Sequence, residues 1–187
     1  MKFPKSNSAK ILQKKTLLHL KSFVFVECLI QVGGQKIIRH SIEHPGCVVM
    51  IPETDSGRYI LVKQYRYAAR GWIWEFPAGG IEKGESLLQS ARRELKEEVG
   101  HDSKKLKKLV SFYPTPGISE EKMHLFLAQK LTPAFAEKDA DEEFEIHEFS
   151  LAQIGKMIDR GQIQDGKTIL GYFYLLRDQL KTQKPRK

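Results

Sequence analysis

Apolar positions along this chain follow two rhythms, and the places where one gives way to the other outline the elements. Residues 23–32 are dense in aromatic and β-branched side chains. After Gly33-Gly34 a second such run covers 35–42. Two runs joined by a diglycine predict an antiparallel hairpin. His44-Pro45-Gly46 interrupts the pattern. Residues 47–51 and 58–64, joined by Asp55-Ser56-Gly57, predict buried strands, and 71–76 predict another. Pro77-Ala78-Gly79-Gly80 predicts a rigid, glycine-opened loop. Further strands are expected over 107–113, 122–131 and 143–149.

The helical rhythm occupies three stretches. Ser86 with Gln89 three residues later reads as a capping box, Leu88, Ala91, Leu95 and Val99 recur at helical spacing, and Gly100 supplies a stop, so a helix is expected from about Leu87 to Val99. Ser150 caps a second over 151–160, and 168–180 makes a third. Strands alternating with helices predict an α/β/α sandwich, preceded by a small antiparallel β extension. The divisions expected are an extension over 1–44, a main domain over 45–181 and a basic tail over 182–187. Residues 1 to about 15 and the tail are polar and Lys-rich and are expected to be mobile ends.

At 187 residues and 41% hydrophobic content the chain can bury a full core. Its apolar stretch near the start is too broken for a signal peptide or membrane span, which favours a cytoplasmic protein with no membrane partner. Cys28 and Cys47 form no CxxC pair, so neither a disulfide framework nor a thiolate zinc site is supported. The formal charge of +8 gathers in the first segment, in Lys104-Lys105-Leu106-Lys107-Lys108 and in the tail. None of these interleaves aromatics with basic residues as single-strand binders do, so nucleic acid is not an expected partner. The excess charge reads as solvated surface, with a field that steers an anionic substrate or a weak, nonspecific RNA contact as the alternatives.

The chemistry concentrates in Arg93-Glu94-Leu95-Lys96-Glu97-Glu98-Val99. Glu94, Glu97 and Glu98 stand at i, i+3 and i+4, which a helix sets side by side beside the apolar stripe. Two carboxylates about 5 to 6 Å apart repel by about 3 kcal/mol at an effective dielectric near 20. A helix that keeps three of them together calls for a cation, and hard oxygen donors suit Mg²⁺ or Mn²⁺. A solvated acidic face paired with Arg92, Arg93 and Lys96 is the bland reading.

Spacing decides between the two. From Gly79 the chain reads Gly79, five residues, Glu85, seven residues, Arg93-Glu94-Leu95, Lys96, Glu97-Glu98, Val99, Gly100. This resembles the signature of the Nudix hydrolases, which cleave nucleoside diphosphates linked to another moiety. The departure is His101, where that family usually has an aliphatic residue. Gln64-Tyr65-Arg66, the run from Trp74 to Gly79, and the run from Tyr113 to Ser119 resemble the ADP-ribose and nucleoside-diphosphate-sugar pyrophosphatases within it. Pro116 stands where that subgroup carries its marker proline.

The resemblance implies a Nudix-type α/β/α sandwich with a mixed sheet. It implies Mg²⁺, or Mn²⁺ in its place, bound by Glu94, Glu98 and the Ala78 carbonyl. Glu97 would join the site, and Arg93 and Glu85 would brace it. Arg66, Glu75, Arg39 and Pro116 would meet a nucleoside diphosphate sugar. Phe23, Phe25 and Arg39 lie on the extension, which in the family reaches across a homodimer to the base; core aromatics are the competing reading. The general base would come from the acidic run Asp139-Ala140-Asp141-Glu142-Glu143, with Glu142 first and Glu143 second. His124 and His147 could act as bases on chemistry alone, but their strand patterns point to structural roles. GDP-mannose or a broader set of nucleotide sugars is the alternative substrate. A Nudix-like ligand sensor or RNA-binding module without catalysis is the alternative of another class.

Overall fold

The computed structural model describes residues 9–136 and 144–182. The chain divides into two units, Met1–Gly46 with Tyr113–Lys122, and Cys47–Phe112 with Met123–Lys187. The first carries a three-stranded antiparallel sheet in chain order, β1 (Lys10–His19), β2 (Val24–Val32) and β3 (Gln35–Glu43). The diglycine turn joins β2 to β3: Val32 pairs with Gln35, and Gly33 adopts φ 59°, the left-handed conformation a two-residue hairpin loop needs.

Strand β1 corrects the expectation of a mobile end for residues 10–15. It pairs with β2 from Lys10↔Gln31 to His19↔Val24 through two register shifts. Every residue in it is exposed, so no alternation of apolar and polar positions marks it. Ladder hydrogen bonds hold it instead, with an ion pair from Lys14 to Glu43 at 2.6 Å.

The second unit contains β4 (Cys47–Pro52), β5 (Tyr59–Arg66), β6 (Gly71–Glu75), β7 (Ala78–Gly80), α1 (Leu87–Glu94), β8 (His101–Phe112), β9 (Met123–Pro133), β10 (Phe144–Phe149), α2 (Leu151–Asp159) and α3 (Gly166–Thr182). One sheet runs β7-β4-β9-β8 and the other β10-β5-β6. In the first, β4 and β9 are parallel while β7 and β8 are antiparallel to their neighbours, so the sheet is mixed.

All six residues of β4 are buried, and its alternation splits the core in two. Val48 and Met50 pack with Ile60, Phe126 and the helical residues Ala91, Leu95 and Val99. Val49 and Ile51 pack with Leu61, Phe76 and Leu125, and with Ile154 and Leu175 from α2 and α3. Helices therefore cover both faces, and the α/β/α sandwich read from the sequence is the one observed. Each such side chain contributes about 1.5–3 kcal/mol relative to exposure.

Two elements differ most from expectation. Strand β8 begins at His101 rather than Lys107, its added half pairing outward along β9 to His101↔Pro133. Lysines at an exposed strand edge conceal this from a hydrophobic pattern. Ala78–Gly80 is a short strand on β4, where a loop was expected. Among the described residues no helix is long and apolar enough to cross a membrane.

Candidate active site

Helix α1 starts as its sequence dictates. The Ser86 hydroxyl accepts from the Gln89 amide at 3.3 Å, and the Gln89 side chain accepts from the Ser86 amide at 2.8 Å, closing the capping box. Its far end departs from the expected uniform helix: Leu95–Val99 widen into a π turn before Gly100, at φ 70°, ends it. The stripe is also shifted. Leu88 is 51% exposed, and Leu87 packs on the core with Ala91, Leu95 and Val99 instead. Residues spaced strictly by four drift about 40° per step on a 3.6-residue helix. A wider last turn reduces that drift and returns Val99 to the core. Wide turns of this kind recur at functional sites.

Three carboxylates, Glu85 just before the helix and Glu94 and Glu97 along it, surround one guanidinium. Arg93 donates to Glu85 at 3.0 and 3.2 Å, to Glu94 at 2.7 Å, to Glu97 at 2.9 Å and to the Gly80 carbonyl at 2.8 Å. Burial works against its charge, but Glu85, Glu94 and Glu97 raise the guanidinium above its ordinary value. Glu85 is held below the usual carboxylate range by its bond from Arg93. Glu94 and Glu98 are buried, and both reach β7. The Glu98 carboxylate accepts from the Ala78 amide at 3.1 Å. Gly79 leaves the space that Glu94 fills, because a Cβ there would overlap the Glu94 carboxylate.

That cradle fits a hard divalent cation: two buried carboxylates close on a glycine-opened strand, with Glu97 alongside. Among the described residues no three acidic, imidazole or thiol side chains form a ready cluster, since Arg93 is interleaved with the glutamates. His101 bonds the Val99 carbonyl through Nδ1 at 2.9 Å and opens β8.

A second charged cluster lies at the ends of β5 and β6. Arg66 grips Glu75 with its fork, Nε to Oε1 and Nη2 to Oε2, each at 2.7 Å. Lys167, from the first turn of α3, donates to the same Oε2 and lies 3.1 Å from Asp165. Glu75 is 2% exposed. Burial pushes its carboxyl up, but the bond from Arg66 and the charge of Lys167 prevail and hold it below the ordinary value.

Lys167, Asp165 and Thr168 were not among the residues singled out from the sequence. Asp165 was legible as a cap, since its carboxylate accepts from the Thr168 amide at 2.9 Å. Nothing in the sequence separates Lys167 from a surface lysine.

The remaining candidates are dispersed. Arg39 is exposed on β3 and donates to the Ile38 carbonyl. Phe25 stacks on His40. In the same unit Pro116 lines a cavity of about 340 Å³ with Ser41, Tyr113 and Ile118. His124 bonds Ser111 at 2.8 Å, and His147 stands edge-on to Trp74 beside Glu145, both within strands. Cys28 and Cys47 are buried thiols not joined in a disulfide. Asp139, Asp141, Glu142 and Glu143 lie outside the described residues.

The NUDIX domain model matches residues 43–171. The chain belongs to the Nudix family. It is 36% identical over 184 residues to the ADP-ribose pyrophosphatase of Bacillus subtilis (strain 168), covering 94% of this chain and all of that one. It is 30% identical over 153 residues to the GDP-mannose pyrophosphatase of Escherichia coli O9:H4 (strain HS), covering 75% of this chain and 80% of that one. A crystal structure of an ADP compounds hydrolase superposes with a TM-score of 0.83 at 24% identity over 98% of this chain and 100% of that one, a likeness of fold. The box, the run from Gly79 to Gly100 that resembles the Nudix signature, lies within this match, and Nudix hydrolases need a divalent cation.

Proposed function

We propose that this Nudix hydrolase cleaves the diphosphate linkage of ADP-ribose, or of a closely related nucleoside diphosphate sugar, to a nucleoside monophosphate and a sugar phosphate. The observation that carries this reading is the end-to-end match to an ADP-ribose pyrophosphatase in a chain whose box keeps every carboxylate. That retention also argues against a sensor or RNA-binding module that has lost catalysis.

In this reading Glu94, Glu98 and the Ala78 carbonyl hold Mg²⁺, for which Mn²⁺ can substitute, and Glu97 completes the acidic side. The cation supplies charge neutralisation at the diphosphate and makes water a better nucleophile. Arg93 keeps the box carboxylates in place. Arg66 offers its guanidinium to diphosphate oxygens, and Glu75, bonded to protein cations through both oxygens, serves the substrate through Arg66. Glu142 takes the proton of the attacking water. Arg39 and Pro116 keep the substrate-binding role that the family resemblance implies for them. The setting is cytoplasmic, and the assembly is a homodimer built through residues 23–42, where exposed Val32 and Ile38 need covering.

The experiment is product identification with Mg²⁺ and a panel of ADP-ribose, GDP-mannose, UDP-glucose, nucleoside triphosphates and capped RNA. AMP and ribose 5-phosphate from ADP-ribose at the highest kcat/KM are expected. The similarity to a GDP-mannose pyrophosphatase makes GDP-mannose the second candidate, and its turnover above that of ADP-ribose would reverse the order. Light scattering tests the dimer: a fully active monomer at tens of micromolar removes it.

A further inference from the structure

Lys167 is a lysine at the start of a helix, in a sequence where Lys and Arg together number 31, and it is 9% exposed. Buried ammonium groups are rare unless they are paired. Its partners are two carboxylates, Glu75 and Asp165, and each has a second task. Asp165 caps α3, its Oδ2 accepting from the Thr168 amide at 2.9 Å and from the Thr168 hydroxyl at 2.6 Å. The same hydroxyl accepts from the Phe76 amide at 2.8 Å, and Gly171 lets α3 approach so closely that a Cβ there would lie 2.9 Å from the Phe76 ring. The first turn of α3 therefore grips Glu75 and Phe76 together. Two residues further on, Ala78 meets Glu98 of the Nudix box.

Arg66 differs from Lys167 in exposure. Its side chain is 41% exposed against 8% for Lys167, and Glu75 takes Nε and Nη2. Among the described residues none bonds its Nη1. A guanidinium so held can give its free edge to an anion. Drawing on it, however, weakens the compensation of Glu75, a carboxylate too deeply buried to be left unpaired. A second cation that never leaves Glu75 removes the conflict.

We propose that Lys167 is a positioning residue for diphosphate binding. It neutralises and orients Glu75 from behind, so that Arg66 can remain edge-on to Glu75 while its outward nitrogen meets the substrate. The inference rests on the proposed function for the identity of the anion and for the part of Arg66 in binding it.

Calorimetric titration with α,β-methylene-ADP in Mg²⁺, a diphosphate whose bridge cannot be hydrolysed, tests it in the full chain. The variants are Arg66→Met, Lys167→Met and the double variant. Each single change should weaken binding about tenfold, the scale of one charge-assisted hydrogen bond, and the double should bind no more weakly than about the worse single. Lys167→Arg should recover most of the affinity, and melting temperatures of the variants identify any that fail to fold. With the nucleoside diphosphate sugar that the wild type turns over best, Lys167→Met should raise KM while kcat changes little.

Losses that multiply in the double variant, a Lys167→Met that binds like wild type, or a wild type that does not bind the analogue would each overturn the role of Lys167. If Lys167→Met does not fold, the same cycle with Lys167→Gln decides by the same criteria. A wild type that binds the analogue with the expected coupling but hydrolyses no nucleoside diphosphate sugar would sink the proposed reaction and leave the positioning role standing.

Discussion

The acidic box and the Arg66 cluster solve opposite electrostatic problems in one unit. In the box one guanidinium, Arg93, is shared among Glu85, Glu94 and Glu97, with Glu98 buried nearby on Ala78. In the cluster one buried carboxylate, Glu75, is shared by two cations, and Asp165 balances the second. The box is left with a surplus of negative charge that Arg93 cannot cancel, whereas the cluster is neutral in itself. A surplus of carboxylates attracts a divalent ion, and a balanced pair with an exposed guanidinium edge can take an anion without first recruiting anything. In the proposed reading one region therefore takes its balancing charge from a metal, and the other from its own side chains.

The sharpest way to break this contrast is to remove a carboxylate from the box. Glu98→Gln preserves shape and can still accept from the Ala78 amide, but it lacks the charge. Turnover is expected to fall by orders of magnitude, with the fold and melting temperature largely kept. A kcat near wild type at saturating Mg²⁺ would remove Glu98 from the metal site.

The acidic run outside the described residues is the next test. Glu142→Gln should cut the rate about 10²- to 10⁴-fold with metal and substrate affinities nearly unchanged, since only proton transfer is lost. Glu143→Gln should do much less. Both changes remove one negative charge from the same run, so equal slowing would point to a general field rather than a base, and a more severe Glu143→Gln would move the base by one residue.

Gly79→Ala probes the cradle itself. The new methyl group would occupy the space of the Glu94 carboxylate, so either β7 or Glu94 has to shift. A loss of about 1–3 kcal/mol in stability is expected from overpacking. Mn²⁺ affinity, read by electron paramagnetic resonance, should fall with it. Unchanged affinity would mean that Glu94 does not hold the metal from this position.

These regions were not equally legible in the sequence. The box could be read because its chemistry fixes its spacing: Arg93 reaches Glu97 only at i+4, Gly79 must lack a side chain beneath Glu94, and Ser86 with Gln89 announces the helix start. Strand β4 could be read because burial on both faces leaves an unbroken apolar run. Strand β1 could not, since ladder bonds along an exposed strand impose no pattern on its side chains. The π turn could not be read either, because Leu87, Leu88, Ala91, Leu95 and Val99 allow more than one winding, and only packing selected Leu87 over Leu88. Family likeness singled out Arg66 and Glu75 as candidates, but nothing singled out the cation beside them. Lys167 lies 92 positions from Glu75, and no local pattern links residues so far apart.

The smallest expected effect is on acid stability, and it separates the two regions by pH. Glu75 has its folded-state pKa below the ordinary value, so it binds a proton less readily in the folded than in the unfolded chain. Its contribution is fully present above the unfolded value of about 4.3 and is lost as pH falls through the lower folded value. Glu75→Gln should therefore cost about 1–3 kcal/mol at pH 7, the scale of a buried charged hydrogen bond, and progressively less below about pH 4. Urea unfolding of both proteins at pH 7, 5, 4 and 3 reads this directly: the two stabilities should converge on the acid side. Glu85, in the box, is also depressed, but it is more exposed than Glu75, so Glu85→Gln should show the same sign with a smaller gap. Curves for Glu75→Gln that stay parallel to wild type from pH 7 to 3 would show that its charge is not what holds Arg66, and would place the stability of the cluster in packing instead.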